Sequence, residues 1–268
     1  MTRSWTFGDL EFVVLWELFG EDRLPHPFVF TSRTPMYFDY LREKREVAER
    51  LRTGADAAIA PVAESMVRPD IRITVDGWAG RDPERADARI RILATRKGDR
   101  GYVAIQLPGE TYTHSGGFVV AECDPLRLAD AIVAALPTAE PGDATEIALL
   151  PPEADREGLD YEYGRSPTRF RPEETLPGRS RRFLRTTPSL IGTIDIEQGM
   201  SKFGPRGITR HRLEWRDLSD DGRYVIAHAA PWVAVSADHG RLTSMINVRI
   251  ADVVKVIREE RDGRGADS

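Results

Sequence analysis

The feature that most restricts the fold is a unit written twice. Residues 97–132, KGDRGYVAIQLPGETYTHSGGFVVAECDPLRLADAI, and residues 219–246, SDDGRYVIAHAAPWVAVSADHGRLTSMI, each read as a turn, two strands and the start of a helix. Asp124-Pro125-Leu126-Arg127-Leu128 aligns with Asp238-His239-Gly240-Arg241-Leu242 at one constant offset. Each copy supplies a sheet that is apolar on one side and a helix that is apolar on one side, and neither copy buries both alone. Two copies joined edge to edge give a continuous antiparallel sheet with helices packed against it, related by a pseudo-twofold axis. The expectation is one α/β domain of the α+β type over residues 1–268, with halves falling roughly at 1–150 and 151–268.

The rest of the chain is consistent with that plan. Thr6 stands three residues before Asp9 and Gly20 follows an apolar stretch, so residues 7–19 read as a helix. Thr34, Pro35 and Gly54 bracket a second helix over 35–53, with Phe38, Leu41, Ala48 and Leu51 expected on its buried stripe. From residue 71 the period drops to two. Ile71, Ile73 and Val75 alternate with polar residues, residues 88–107 read as a hairpin turning at KGDRG, and Phe118 to Glu122 is a further strand. Asp124 starts a helix faced by Leu128, Ala129, Ile132, Val133 and Leu136, and Ile147 to Leu150 is strand-like. Residues 153–189, charged and rich in proline, glycine and arginine, read as a mobile or partner-facing excursion. Strands then return around Ile194 and Ile196, Leu213 and Trp215, Tyr224 to Ala229 and Trp232 to Val235. Asp238 caps a final helix, and the polar tail from Arg261 is expected to fray.

Composition narrows the function. Hydrophobic residues make up 41% and charged residues 30%, as in an ordinary folded protein. The apolar run Phe12 to Trp16 is too short for a signal-peptide core or a membrane span, and a lone Cys123 permits no internal disulfide; the expected location is the cytoplasm. A net charge of −5 gives no general attraction for nucleic acid or anionic lipid, so neither is expected as a partner, and the basic stretch Arg179, Arg181, Arg182, Arg185 is local.

No chemistry stands out. Cys123 precedes a helix, where a thiol can be activated, but the second copy carries Ala237 there. The five histidines form no metal-ligand spacing, although His211 and His228 could meet across a hairpin. There is no phosphate-cradling glycine loop and no nucleophile elbow. No catalytic residue, metal site or cofactor is therefore assigned, and the chain is expected not to be an enzyme. What remains is surface: Trp78, Trp215 and Tyr224 beside arginines 96, 100, 210, 212 and 216, the composition of protein-binding hot spots. The candidate partner-binding residues are Trp78, Arg96, Lys97, Arg100, Trp215 and Arg216. The leading alternative is a small-molecule binder or enzyme with a pocket between the two halves, and a second is a nucleic-acid adaptor using Arg179 to Arg185, with steeply salt-dependent binding.

FVVLWELFGEDRLPHPF, FDYLREKREVAERLRTG, RHRLEWRDLSDDGRYVI and WVAVSADHGRL, in that order, resemble the EspG family of actinobacterial ESX (type VII) secretion chaperones. The resemblance implies a central antiparallel sheet with flanking helical bundles and an internal pseudo-twofold. It also implies a cytosolic protein that covers the tip of the PPE partner in a PE–PPE pair until export. Two stretches depart from the family pattern, MSKFGPRGITR and the short turn KGDRG. The client is accordingly expected to be a PPE-like or WxG-like helical substrate, and the free protein a monomer or weak homodimer.

Overall fold

The structure, a computed structural model, describes residues 3–54, 59–150 and 175–266. Its frame is a ten-stranded antiparallel sheet: β1 (Ser4–Phe7), β2 (Ile71–Ala79), β3 (Ile90–Lys97), β4 (Arg100–Pro108), β5 (Ser115–Cys123), β6 (Glu146–Ala148), β7 (Leu190–Gln198), β8 (Arg210–Asp217), β9 (Arg223–Ala227) and β10 (Val233–Ser236). The spatial order is β1-β5-β4-β3-β2-β7-β8-β9-β10-β6, so β2 meets β7 at the centre with five strands on each side of that seam, and β6, although it comes from the first 150 residues, closes the far edge beside β10. The two central strands share a Thr-aliphatic-Asp triplet that pairs reciprocally. Thr74 lies opposite Asp195, Asp76 opposite Thr193, and Val75 opposite Ile194.

Among the described residues six helices accompany this frame: α1 (Asp9–Leu18), α2 (Tyr37–Gly54), α3 (Ile59–Val67), α4 (Leu128–Ala134), α5 (Leu176–Arg185) and α6 (His239–Ala266). One sheet face carries Ile71, Ile73, Val75, Ile92, Ile194, Ile196, Leu213 and Val225 and is covered by α4 and α6, the two helices the repeat announces. Asp238 caps α6 as expected, its Oδ1 accepting the Arg241 N–H at 2.7 Å. The opposite face is covered only toward its ends. Phe12, Trp16, Val62 and Met66 of α1 and α3 pack on Leu93, Ala104, Phe118 and Val120 at one end. Phe183 of α5 packs with Tyr224, Ile226 and Ala234 at the other.

Trp215 explains the centre. Its indole lies across the glycine pair Gly77 and Gly192 on β2 and β7, where a Cβ added at Gly77 would stand only 2.8 Å from Cζ2. The expectation that Trp215 and Tyr224 are surface residues is overturned: both are 0% exposed. A tryptophan that alternates with Leu213 shares its face, and that face is the core.

Other expectations also need correction. Thr6 belongs to β1 rather than capping a helix; α1 starts at Gly8, whose N–H is taken by the Glu11 carboxylate at 3.1 Å. Thr34 donates to Glu43 at 2.6 Å instead of capping α2. On α2 the buried residue is Val47, and Phe38 is 80% exposed, because α2 rests on α1 rather than on the sheet. Of the excursion at 153–189, residues 153–174 lie outside the described residues, whereas 176–185 form α5. The tail from Arg261 continues α6 to Ala266, with Arg261 Nη2 bonded to Asp70 at 3.0 Å.

Candidate partner-binding surface

Between α3 and α5 the middle of the second face is left open: among the described residues no helix packs there on β2 and β7. Alternation sends one residue in two to this side. The other side takes the aliphatic residues of these strands, and this side carries most of their charged ones. The register writes four rows across β2, β7 and β8: Arg72–Glu197–Arg210, Thr74–Asp195–Arg212, Asp76–Thr193–Glu214 and Trp78–Ile191–Arg216.

Opposite charges alternate along the first row and adjoin in the second, and most of the charged groups pair. Arg210 Nε donates to Glu197 at 3.0 Å, with Arg72 3.7 Å from the same carboxylate. Arg212 grips Asp195 with both Nε (2.6 Å) and Nη2 (2.9 Å). His228 Nε2 stands 3.5 Å from Glu214. Near Trp78, Arg89 bonds Asp76 at 2.9 Å and stacks over the indole at 5.5 Å. Burial pushes the Asp76 carboxyl above the ordinary range, against the pull of Arg89, His26 and Arg91. Such a ladder holds charged groups in fixed positions, with Trp78 and Ile191 adding apolar area to the same patch.

Of the predicted site residues, Trp78 and Arg216 lie on this face, and of the two only Trp78 is partly exposed. Arg96, Lys97 and Arg100 sit at the β3–β4 hairpin tip, where Lys97 bonds Glu64 at 2.8 Å and Arg96 Nε reaches the Gly98 carbonyl at 3.2 Å. Ile71 pairs with Arg96, and Trp78 is seven residues further along β2. The hairpin tip is therefore ~23 Å away at ~3.3 Å per residue. Arg216 is on the correct face but is 8% exposed, beneath α5. It donates to the Phe183 (3.3 Å), Leu184 (3.5 Å) and Thr186 (3.2 Å) carbonyls, satisfying the helix end, and burial pushes its guanidinium pKa down. Trp215 and Arg216 thus build the frame and are not presented to a partner.

The open strip also carries Asp195, Glu197 and Glu214, which the sequence reading did not single out although their alternation with core residues marks them as outward-facing. Nor did sequence single out the β7–β8 connection, where Met200 and Phe203 are 70% and 69% exposed. Glu260 of α6 braces that loop, accepting from Ser201 Oγ (2.7 Å) and the Lys202 N–H (2.9 Å).

The chemical alternatives lose their geometry. His211 and His228 lie on opposite faces, His211 facing Asp252 of α6 at 3.9 Å. The described residues hold no group of three or more metal-ligating side chains. Burial, with Asp124 and Glu122 beside it, pushes the Cys123 thiol up to about 11. A groove of 480 Å³ lined by Pro125, Leu126, Ile250, Ala251 and Val254 is open to solvent.

The EspG family model matches residues 9–247 of the chain. The chain belongs to the EspG family. Among solved structures it is similar to the Mycobacterium tuberculosis type VII secretion system chaperone EspG5, solved in complex with a PE25–PPE41 dimer. That likeness has a TM-score of 0.53 at 13% identity and covers 95% of this chain and 96% of the other. At that identity the likeness is one of fold: an EspG sheet and its helices kept with most side chains changed. Among curated proteins none matches. The EspG match begins at the first residue of α1 and ends within α6, so β1 and most of α6 lie outside it.

Proposed function

We propose that this EspG family member is a type VII secretion chaperone that binds a PPE-type helical client on the open strip of β2, β7 and β8. The observation that carries the reading is the strip itself: ordered charge rows and a tryptophan on a sheet face whose reverse is fully covered. Family membership supplies the partner class, and the PE25–PPE41 dimer held by EspG5 supports it. Trp78 and Ile191 supply the apolar contact, while Arg210, Arg212, Asp195 and Glu197 set register through complementary charge. The protein acts by covering client surface, with no covalent step.

The test is co-expression with the PPE-type proteins of the organism that encodes the chain, followed by affinity capture. A one-to-one complex is expected. Arg212→Glu places an acid against Asp195 and is expected to weaken capture at least tenfold, since one reversed charge costs several kcal/mol at an interface, with the melting temperature little changed. Capture of no PPE-type protein, or full capture by Arg212→Glu, defeats the proposal.

A further inference from the structure

The carboxylates of the open strip are paired within the chain, with one exception. Asp76 bonds Arg89 at 2.9 Å, Asp195 holds Arg212 through two donors, and Glu197 takes Arg210 at 3.0 Å with Arg72 beside it. Each of these three has a guanidinium of its own. Glu214 does not. Among the described residues its ion-pair contact is His228, whose Nε2 stands 3.5 Å away, and an imidazole is a cation only when protonated.

The register explains why no arginine is left for it. Glu214 lies between Arg212 and Arg216 on one face of β8, two residues from each. Arg212 commits Nε and Nη2 to Asp195, and Arg216 donates to the Phe183, Leu184 and Thr186 carbonyls at the end of α5. Across the sheet Glu214 is opposite Thr193 on β7 and Ile226 on β9, neither of them a cation.

The Glu214 side chain is 27% exposed, so water solvates it in the free protein. A client laid over β2, β7 and β8 displaces that water. A carboxylate covered without a partner opposes binding, whereas one met by an ammonium or guanidinium recovers its lost solvation and fixes the register of the two surfaces. The strip therefore discriminates at this point: a client with an acidic or apolar group there is rejected, and one with a basic group is accepted.

We propose that Glu214 is a specificity-determining residue of the strip and that the client presents a lysine or arginine side chain to it. The inference rests on the client reading given above and adds the chemistry of one contact to it.

The test compares dissociation constants of the captured PPE-type client for the full-length wild-type chain and Glu214→Gln, with circular dichroism and melting temperature as the folding control. The direction of the change decides. Removing one partner of a covered charge pair is expected to weaken capture by about thirtyfold or more, whereas removing a carboxylate that meets no cation would leave capture unchanged or tighten it. A double-mutant cycle then combines E214Q with methionine replacement of each lysine and arginine in the client segment that the chaperone covers. One client position is expected to weaken capture by the wild-type chain and to have little further effect in E214Q. Equal or tighter capture by E214Q, or the lack of any client lysine or arginine coupled to Glu214, overturns this inference and leaves the client reading standing. Capture of no PPE-type protein by the wild-type chain defeats both.

Discussion

Two tryptophans that look alike in the sequence have opposite duties. Trp215 fills the space left by Gly77 and Gly192, whereas Trp78 lies half-buried on the open strip against Arg89. Trp215→Ala should therefore cost ~3–5 kcal/mol of unfolding free energy in urea denaturation. Trp78→Ala should cost about 1 kcal/mol or less while weakening client capture. The reverse ranking would mean that the faces are assigned the wrong way round. Alternation already separates the two residues, since Trp78 keeps step with Arg72, Thr74 and Asp76 and Trp215 with Leu213, and reading both tryptophans as surface aromatics set that parity aside. Cys123 gives a pH test. With its thiol at about 11, ionisation is displaced upward, so at pH 8 only about a thousandth is thiolate. Iodoacetamide labelling of the folded protein should be at least a hundredfold slower than that of a free thiol and should rise toward pH 11. Rapid labelling at pH 8 would contradict the burial of that strand end.

At the scale of elements, legibility followed periodicity. β2, β3, β4, β7 and β8 and the helices α4 and α6 were readable because a one-sided core imposes a period of 2 or 3.6 on each. β1 was not, being four residues at an edge. Nor was α3, whose sequence IAPVAESMV has Pro61 near its start and is too short to show a stripe. α5 was hidden because its outward arc is nearly all arginine, so composition suggested a loop while its two buried residues carried the signal. The β7–β8 connection tests whether packing of elements, and not the loop's own sequence, sets its shape. If Glu260 is the brace, Glu260→Ala should speed hydrogen exchange at the Lys202 amide by about tenfold, the worth of one charge-assisted bond, and leave the α4 amides unchanged. An unchanged Lys202 amide would show that the loop holds itself.

For the whole molecule, the duplication was the most informative line of the sequence. It implied a shared antiparallel sheet, and the observed order sets five strands on each side of a β2–β7 seam that carries the reciprocal Thr74–Asp195 and Asp76–Thr193 pairs, although β6, from the first 150 residues, crosses to the far edge. We propose that these pairs mark an internal twofold that runs between β2 and β7. The binding face was only partly legible. Sequence marks which residues point outward, but whether a helix covers them depends on where α3 and α5 come to rest, and that is settled by pairing between distant strands. A chaperone has no reacting groups to find, so its site is whatever such a fold leaves open. The most direct test of the account is hydroxyl-radical footprinting of the chain alone and bound to a PPE-type client. The account predicts reduced oxidation at Trp78, Ile191 and His228 in the complex, with Trp215 low in both states. A complex that leaves Trp78, Ile191 and His228 as reactive as in the free protein would contradict it.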